Sequence, residues 1–137
     1  MNLFDELVTK LLESNDGCEI LSLNESEKIA KELFSKYPIT WGRIDWIQVE
    51  KNALITTTDG IITKLNFYKK NENEPVYLIW GDASLPVIKC MLNDALYNLG
   101  AVKFLGGSAT WLYCPAEKWV LEFHHDGDIT LGLENEK

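Results

Sequence analysis

The chain has 137 residues, 21 of them acidic and 13 basic, a formal net charge of -8, and 46% hydrophobic residues. That length bounds it to one domain, residues 1–137, and a chain of this size buries about 70% of the surface its unfolded form exposes, so its core needs no disulfide. The acidic balance argues against nucleic acid and anionic membranes, whose phosphates are bound by lysine and arginine; it favours a basic partner, though charge of this size also serves plain solubility.

At the N-terminus, Met1-Asn-Leu-Phe-Asp-Glu-Leu7 carries two acids where a signal peptide needs positive charge. No run approaches the ~18 apolar residues of a membrane span. The expectation is a soluble, unexported, cytoplasmic chain. Asn2 to Glu13 has apolar residues at Leu3, Phe4, Leu7, Val8, Leu11 and Leu12, the repeat of an amphipathic helix, which Ser14-Asn-Asp-Gly17 ends. A second helix follows, with Asn24 as N-cap, Glu27 as its capping-box partner, Ile29, Leu33 and Phe34 as the buried stripe, and Pro38 as its stop.

From Trp41 the texture turns to β. Arg43 to Glu50 reads as a strand, and Ala53 to Thr58 with Ile61 to Phe67 read as a hairpin about Thr58-Asp59-Gly60, with Ala53 facing Leu65 and Ile55 facing Thr63. Lys69 to Glu74 is a charged connection, and Val76 to Trp80 is a central apolar strand. Gly81 to Pro86 then starts a third helix with Pro86 in its first turn. Its apolar face is Val87, Met91, Leu92, Ala95, Leu96 and Leu99, and Gly100 is its cap. A loop through Gly106 and Gly107 leads to three closing strands, and Glu134 to Lys137 reads as a frayed tail. The sum is an α+β fold: a mainly antiparallel sheet of about six to seven strands, two N-terminal helices and one inserted helix, packed on one face.

The last hairpin carries the strongest pattern. With His125-Asp126-Gly127 as its loop, Phe123 lies opposite Ile129, Leu121 opposite Leu131 and Trp119 opposite Leu133, an unbroken apolar face. The reverse face then pairs Glu122 with Thr130 and His124 with Asp128, with Asp126 at the tip. With the helices on the apolar side, those carboxylates would form an exposed acidic patch. Proximity to aspartate favours the charged form of the histidine.

Catalytic readings fit poorly. His124 and His125 are neighbours on a strand and point to opposite faces, so they do not chelate one ion, and no metal or cofactor is expected. Cys18, Cys90 and Cys114 are odd in number, widely spaced and without a CxxC pair, which suits a reducing compartment, and none sits in a glycine-rich nucleophile elbow. Glu122 and Asp128 on an open sheet lack a water-excluding cleft to part their pKa values. Gly106-Gly107 lacks the Lys-Ser/Thr of a phosphate loop. Of five tryptophans, Trp80, Trp111 and Trp119 belong to apolar strands and the core, while Trp41 and Trp46 bracket a second candidate surface, Trp41-Gly-Arg-Ile-Asp-Trp46.

Three segments, Trp80-Gly-Asp-Ala-Ser-Leu-Pro-Val-Ile-Lys-Cys90, Trp111-Leu-Tyr-Cys-Pro115 and Trp119 through Leu133, resemble the immunity proteins of bacterial contact-dependent growth inhibition systems. The likeness covers the C-terminal half, extends weakly to Trp41 through Trp46, and is absent from the first helix. It implies a cytoplasmic antidote that binds the C-terminal domain of a cognate toxin, basic and often a nuclease, and it transfers no catalytic residue. Carboxylates that occupy a cationic cleft gain fast, steered association. The candidate toxin contacts are Asp45, Trp46, Glu122, His124, Asp126 and Asp128. The competing readings are a small adaptor or regulatory domain, and a small hydrolase or metal enzyme.

Overall fold

In the computed structural model, which describes residues 3–13, 18–98 and 109–135, the chain runs α1 (Leu3–Leu12), β1 (Cys18–Ile20), α2 (Leu23–Lys36), then a small hairpin of β2 (Ile39–Thr40) and β3 (Arg43–Ile44) and a 3-10 turn (Trp46–Gln48). There follow β4 (Lys51–Ile55), α3 (Gly60–Phe67), β5 (Pro75–Trp80), β6 (Ile88–Met91), α4 (Leu92–Tyr97), β7 (Ala109–Cys114), β8 (Trp119–His124) and β9 (Ile129–Leu133). Seven strands form one antiparallel sheet in the order β1-β6-β5-β7-β8-β9-β4. The α+β architecture and the antiparallel sheet are those read from the sequence. The expected helix end at Ser14 to Gly17, the cap at Leu99 and Gly100, the Gly106-Gly107 loop and the last two residues of the tail lie outside the described residues.

The closing hairpin has the register that its alternation requires: Trp119 pairs with Leu133, Leu121 with Leu131, Glu122 with Thr130 and Phe123 with Ile129. Gly127, at φ 101, supplies the left-handed position of the three-residue loop. Two other segments depart from expectation. Gly60 to Phe67 is a helix, because Ile61 and Leu65, one turn apart, both bury completely against the sheet. The strand partner of Ala53 is therefore Leu131 of the chain's last strand, not Leu65. Residues 86–91 do not begin a helix; Ile88 to Met91 alternate buried and half-buried and pair with both β5 and β1, and the helix starts only at Leu92.

The helices divide between the two faces, correcting the expectation that they share one. On the front face, Trp119, Leu121 and Phe123 join Leu78, Leu112 and Ile129 beneath α3 and α4, with Val8 of α1 packed against the same cluster. On the back face, Ile79, Trp111, Tyr113 and Val120 are covered by Leu33 and Tyr37 at the end of α2 and by Ile44 and Val49. β7 is buried at all six positions, as a strand sandwiched between two layers must be.

The N-terminus of α2 shows why the back layer starts where it does. Ser22, not Asn24, is the N-cap: its Oγ accepts from Glu25 N at 3.1 Å and donates to Glu25 Oε1 at 3.1 Å, so the Ser-x-x-Glu cap lies two residues earlier than expected. One turn in, the buried Ser26 Oγ accepts from Val87 N at 2.8 Å, tying the helix to the strand edge. Ser22→Ala is expected to cost about 1 kcal/mol, read as a lower midpoint in urea at unchanged slope.

Candidate functional site

The reverse face of the closing hairpin is not an open acidic surface. Glu122 is completely buried, covered by the hairpin β2–β3 and the 3-10 turn that follows it. Its carboxylate collects donors from three directions. Oε1 accepts from Arg43 Nε at 3.2 Å and Trp46 Nε1 at 3.1 Å, with Arg43 Nη2 also 3.2 Å away; Oε2 accepts from Ile44 N at 2.7 Å and Trp111 Nε1 at 3.0 Å. A carboxylate leaves water only when such groups replace its hydration, and here two indoles, a backbone amide and a guanidinium do so. Glu122 is therefore an internal group rather than an exposed contact, with Trp46 tied to it. The half-buried Trp46 ring lies over Gly132 of β9, where a Cβ would come within 2.5 Å of Cζ3.

The segment that covers Glu122 is fastened at both ends. Asp45 N donates to Pro38 O at 2.7 Å, closing the base of the hairpin. The Asp45 carboxylate caps the 3-10 turn, accepting from Ile47 N at 3.3 Å and Gln48 Nε2 at 2.7 Å. Beyond the turn, Asn52 Nδ2 donates to Trp46 O and Val49 O, and Asn135 Nδ2 donates to Gln48 O at 2.8 Å. Asp45 thus has a structural task while remaining partly accessible.

At its outer edge, the Glu122 cluster reaches the loop between β8 and β9. Arg43 Nη1 is 3.9 Å from Asp126 Oδ2, and Asp126 Oδ1 is 2.9 Å from His124 Nδ1. Asp126 Oδ1 also accepts from Asp128 N at 3.0 Å, which turns the chain back into β9. The Asp128 amide and His124 hold the Asp126 carboxyl below its usual range. Asp126 and Asp128 are exposed, and His124 is mostly covered, with its ring 4.2 Å from that of His125. Around this corner, Arg43 offsets Glu122, which leaves Asp45, Asp126 and Asp128 in excess.

Glu122 and Asp126 thus meet at Arg43, with Trp46 joined through Glu122 and His124 through Asp126, while Asp45 caps the adjoining turn; Glu122 lies inside, Trp46 and Asp45 are half-buried, and Asp126 and Asp128 are outside. Arg43 is the partner that sequence reasoning missed. Trp41 and Ile47, 95% and 96% exposed, flank the same segment. Between α2, the hairpin and residues 79–87 lies a mainly apolar cavity of about 540 Å³ bordered by Leu23, Phe34, Ile39, Gly42, Leu85 and Trp111. Among the described residues, no group of three or more His, Cys, Asp or Glu could hold a metal ion, and no helix is long and apolar enough to cross a membrane. Cys90 is buried and its thiol pushed up to about 12, chiefly by burial, far from the low pKa of a reactive nucleophile.

Exposed Trp41 on the hairpin, Ile47 on the 3-10 turn and Asp126 and Asp128 on the β8–β9 loop thus surround a buried ion cluster. The chain belongs to the CdiI immunity protein family, EcoliA0-like, whose family model matches residues 1–132. The match includes the first helix, so the kinship extends well beyond the C-terminal half in which the sequence resemblance was readable. No curated protein matches the chain.

Proposed function

We propose that this immunity protein acts in the cytoplasm by binding the cognate CdiA toxin domain, a nuclease with a basic cleft, through the corner where the β2–β3 segment meets the β8–β9 loop. The observation that carries this reading is the pair of exposed carboxylates of Asp126 and Asp128 beside a covering segment fixed by Glu122. Asp45, Asp126 and Asp128 supply the field that steers a cationic domain into place, and His124 orients Asp126. Glu122 and Trp46 serve the contact from beneath, by holding its shape. The net charge of -8 adds a long-range attraction of the same sign.

Neutralisation tests the reading without disturbing the loop, since asparagine keeps a side-chain acceptor for the Asp128 amide. Asp126→Asn with Asp128→Asn is expected to slow association with the toxin domain by about 3- to 10-fold at low ionic strength, with the gap closing as salt rises and the dissociation rate little changed. Stopped-flow association at several salt concentrations measures this. An unchanged low-salt rate would remove these acids from the contact.

A further inference from the structure

We propose that Trp41 is the anchor of the toxin contact, a rigid aromatic projection that enters an apolar notch on the toxin domain rimmed by lysine or arginine; this rests on the reading above. Thr40 pairs with Arg43, so Trp41-Gly42 is a two-residue hairpin loop, and both residues have positive φ, 57 and 79. That is a type I′ turn, which favours Asn-Gly or Gly-Gly. A bulky residue at the first position is a backbone outlier. Among the described residues, the other non-glycine positions with positive φ, Lys69 and Lys118, carry long polar side chains. Trp41 is instead an indole left 95% exposed, so its packing returns nothing to the fold for the strained backbone.

The four other tryptophans sharpen the contrast. Trp80, Trp111 and Trp119 are buried, and Trp46 donates to Glu122. Trp41 alone is spent outward, on a segment held at several points: the Ile39–Ile44 pair, the Asp45–Pro38 bond and the Arg43 and Ile44 bonds to Glu122 all lie within a few residues of it. An aromatic side chain on a pre-organised tip loses little freedom on binding, which is what an interface anchor requires. The nearby carboxylate of Asp126, linked through Arg43, favours a basic rim on the partner, and the indole face itself attracts a cation. A basic rim around an apolar notch satisfies both.

Trp41→Asn separates the anchor from the fold, because it creates the preferred Asn-Gly turn. Calorimetry and surface plasmon resonance against the toxin domain encoded with this chain are expected to give a thermal midpoint equal to or above wild type and a Kd raised by about 30-fold or more. Trp41→Phe keeps a ring in the same backbone and is expected to lose no more than about 10-fold. A Kd for Trp41→Asn within 3-fold of wild type, with wild type binding tightly, overturns the anchor and leaves the partner reading intact. No binding by wild type overturns the partner reading itself. If Trp41→Asn melts lower than wild type, Trp41→Gly, which creates the equally favoured Gly-Gly turn, decides: a Kd raised by about 30-fold or more with a midpoint at or above wild type supports the anchor, and a Kd within 3-fold of wild type overturns it. Sedimentation showing a wild-type dimer that Trp41→Asn dissociates, with toxin affinity unaltered, would reassign the tip to contacts between copies.

Discussion

Glu122→Ala is expected to lower stability by about 3–5 kcal/mol, because it leaves a guanidinium and three N–H donors facing each other where a carboxylate had joined them. For a chain of this length that is a fall in the thermal midpoint on the order of 10–20 °C. Glutamine does not restore the site. Both oxygens of Glu122 accept two or more donors, so whichever position the amide nitrogen takes, N–H points at N–H. Arg43, only partly exposed, cannot fully rehydrate. Hydrogen exchange should show residues 39–49 losing protection ahead of the sheet, since the segment loses its attachment while the front core is untouched. A midpoint within about 2 °C of wild type for Glu122→Ala would mean that the cluster does not hold the back layer.

Gly132→Ala is the second large effect, and it arrives at the same cluster from the strand side. The new methyl would stand 2.5 Å from Trp46 Cζ3 and 3.1 Å from Cη2. The ring is not a flexible tip that can step aside: its nitrogen is bonded to Glu122 at 3.1 Å, and its own carbonyl accepts from Asn52. Replacing glycine in a strand gains about 0.4–1 kcal/mol from the unfolded chain. Overpacking costs about 1–3 kcal/mol, and a broken Trp46 bond adds on the order of 1 more, so destabilisation wins. The measurement is a urea melt together with tryptophan emission, which should shift as Trp46 moves. A variant as stable as wild type would show that the ring has room that the geometry denies it.

How much of this could be read from the sequence varies with the range of the interactions. The closing hairpin was readable to the residue because alternation, a glycine-bearing loop and an apolar face all act locally. Asp59-Gly60 misled for the opposite reason: a turn signal followed by Ile61, Ile62 and Thr63 suggests a returning strand, but β4 already has its partner in β9, far along the chain, and Ile61 with Leu65 is needed to cap the front core. Ile88 to Met91 reads equally well as the start of a helix, and only the edges offered by β5 and β1 decide it.

The acidic face failed in an instructive way. Parity placed Glu122, Thr130 and His124 on one side correctly. It did not say that the side is covered, although Val120 of the same parity is apolar and β7 has no polar face at all. A strand apolar on both parities announces two layers. Trp111 held a further hint, since a buried indole seeks an acceptor and Glu122 is its register partner. What no local pattern supplies is that Arg43, many residues upstream, completes the set.

Because the tie runs through Glu122 and the backbone of Ile44, the outward side chains of Thr40, Trp41 and Asp128 are relieved of most duties in holding the chain together. On the contact proposed above, the work of binding is separated from the architectural work by one peptide layer. Such a scaffold can exchange its tip and drift to a new target while the bolt underneath stays where it is.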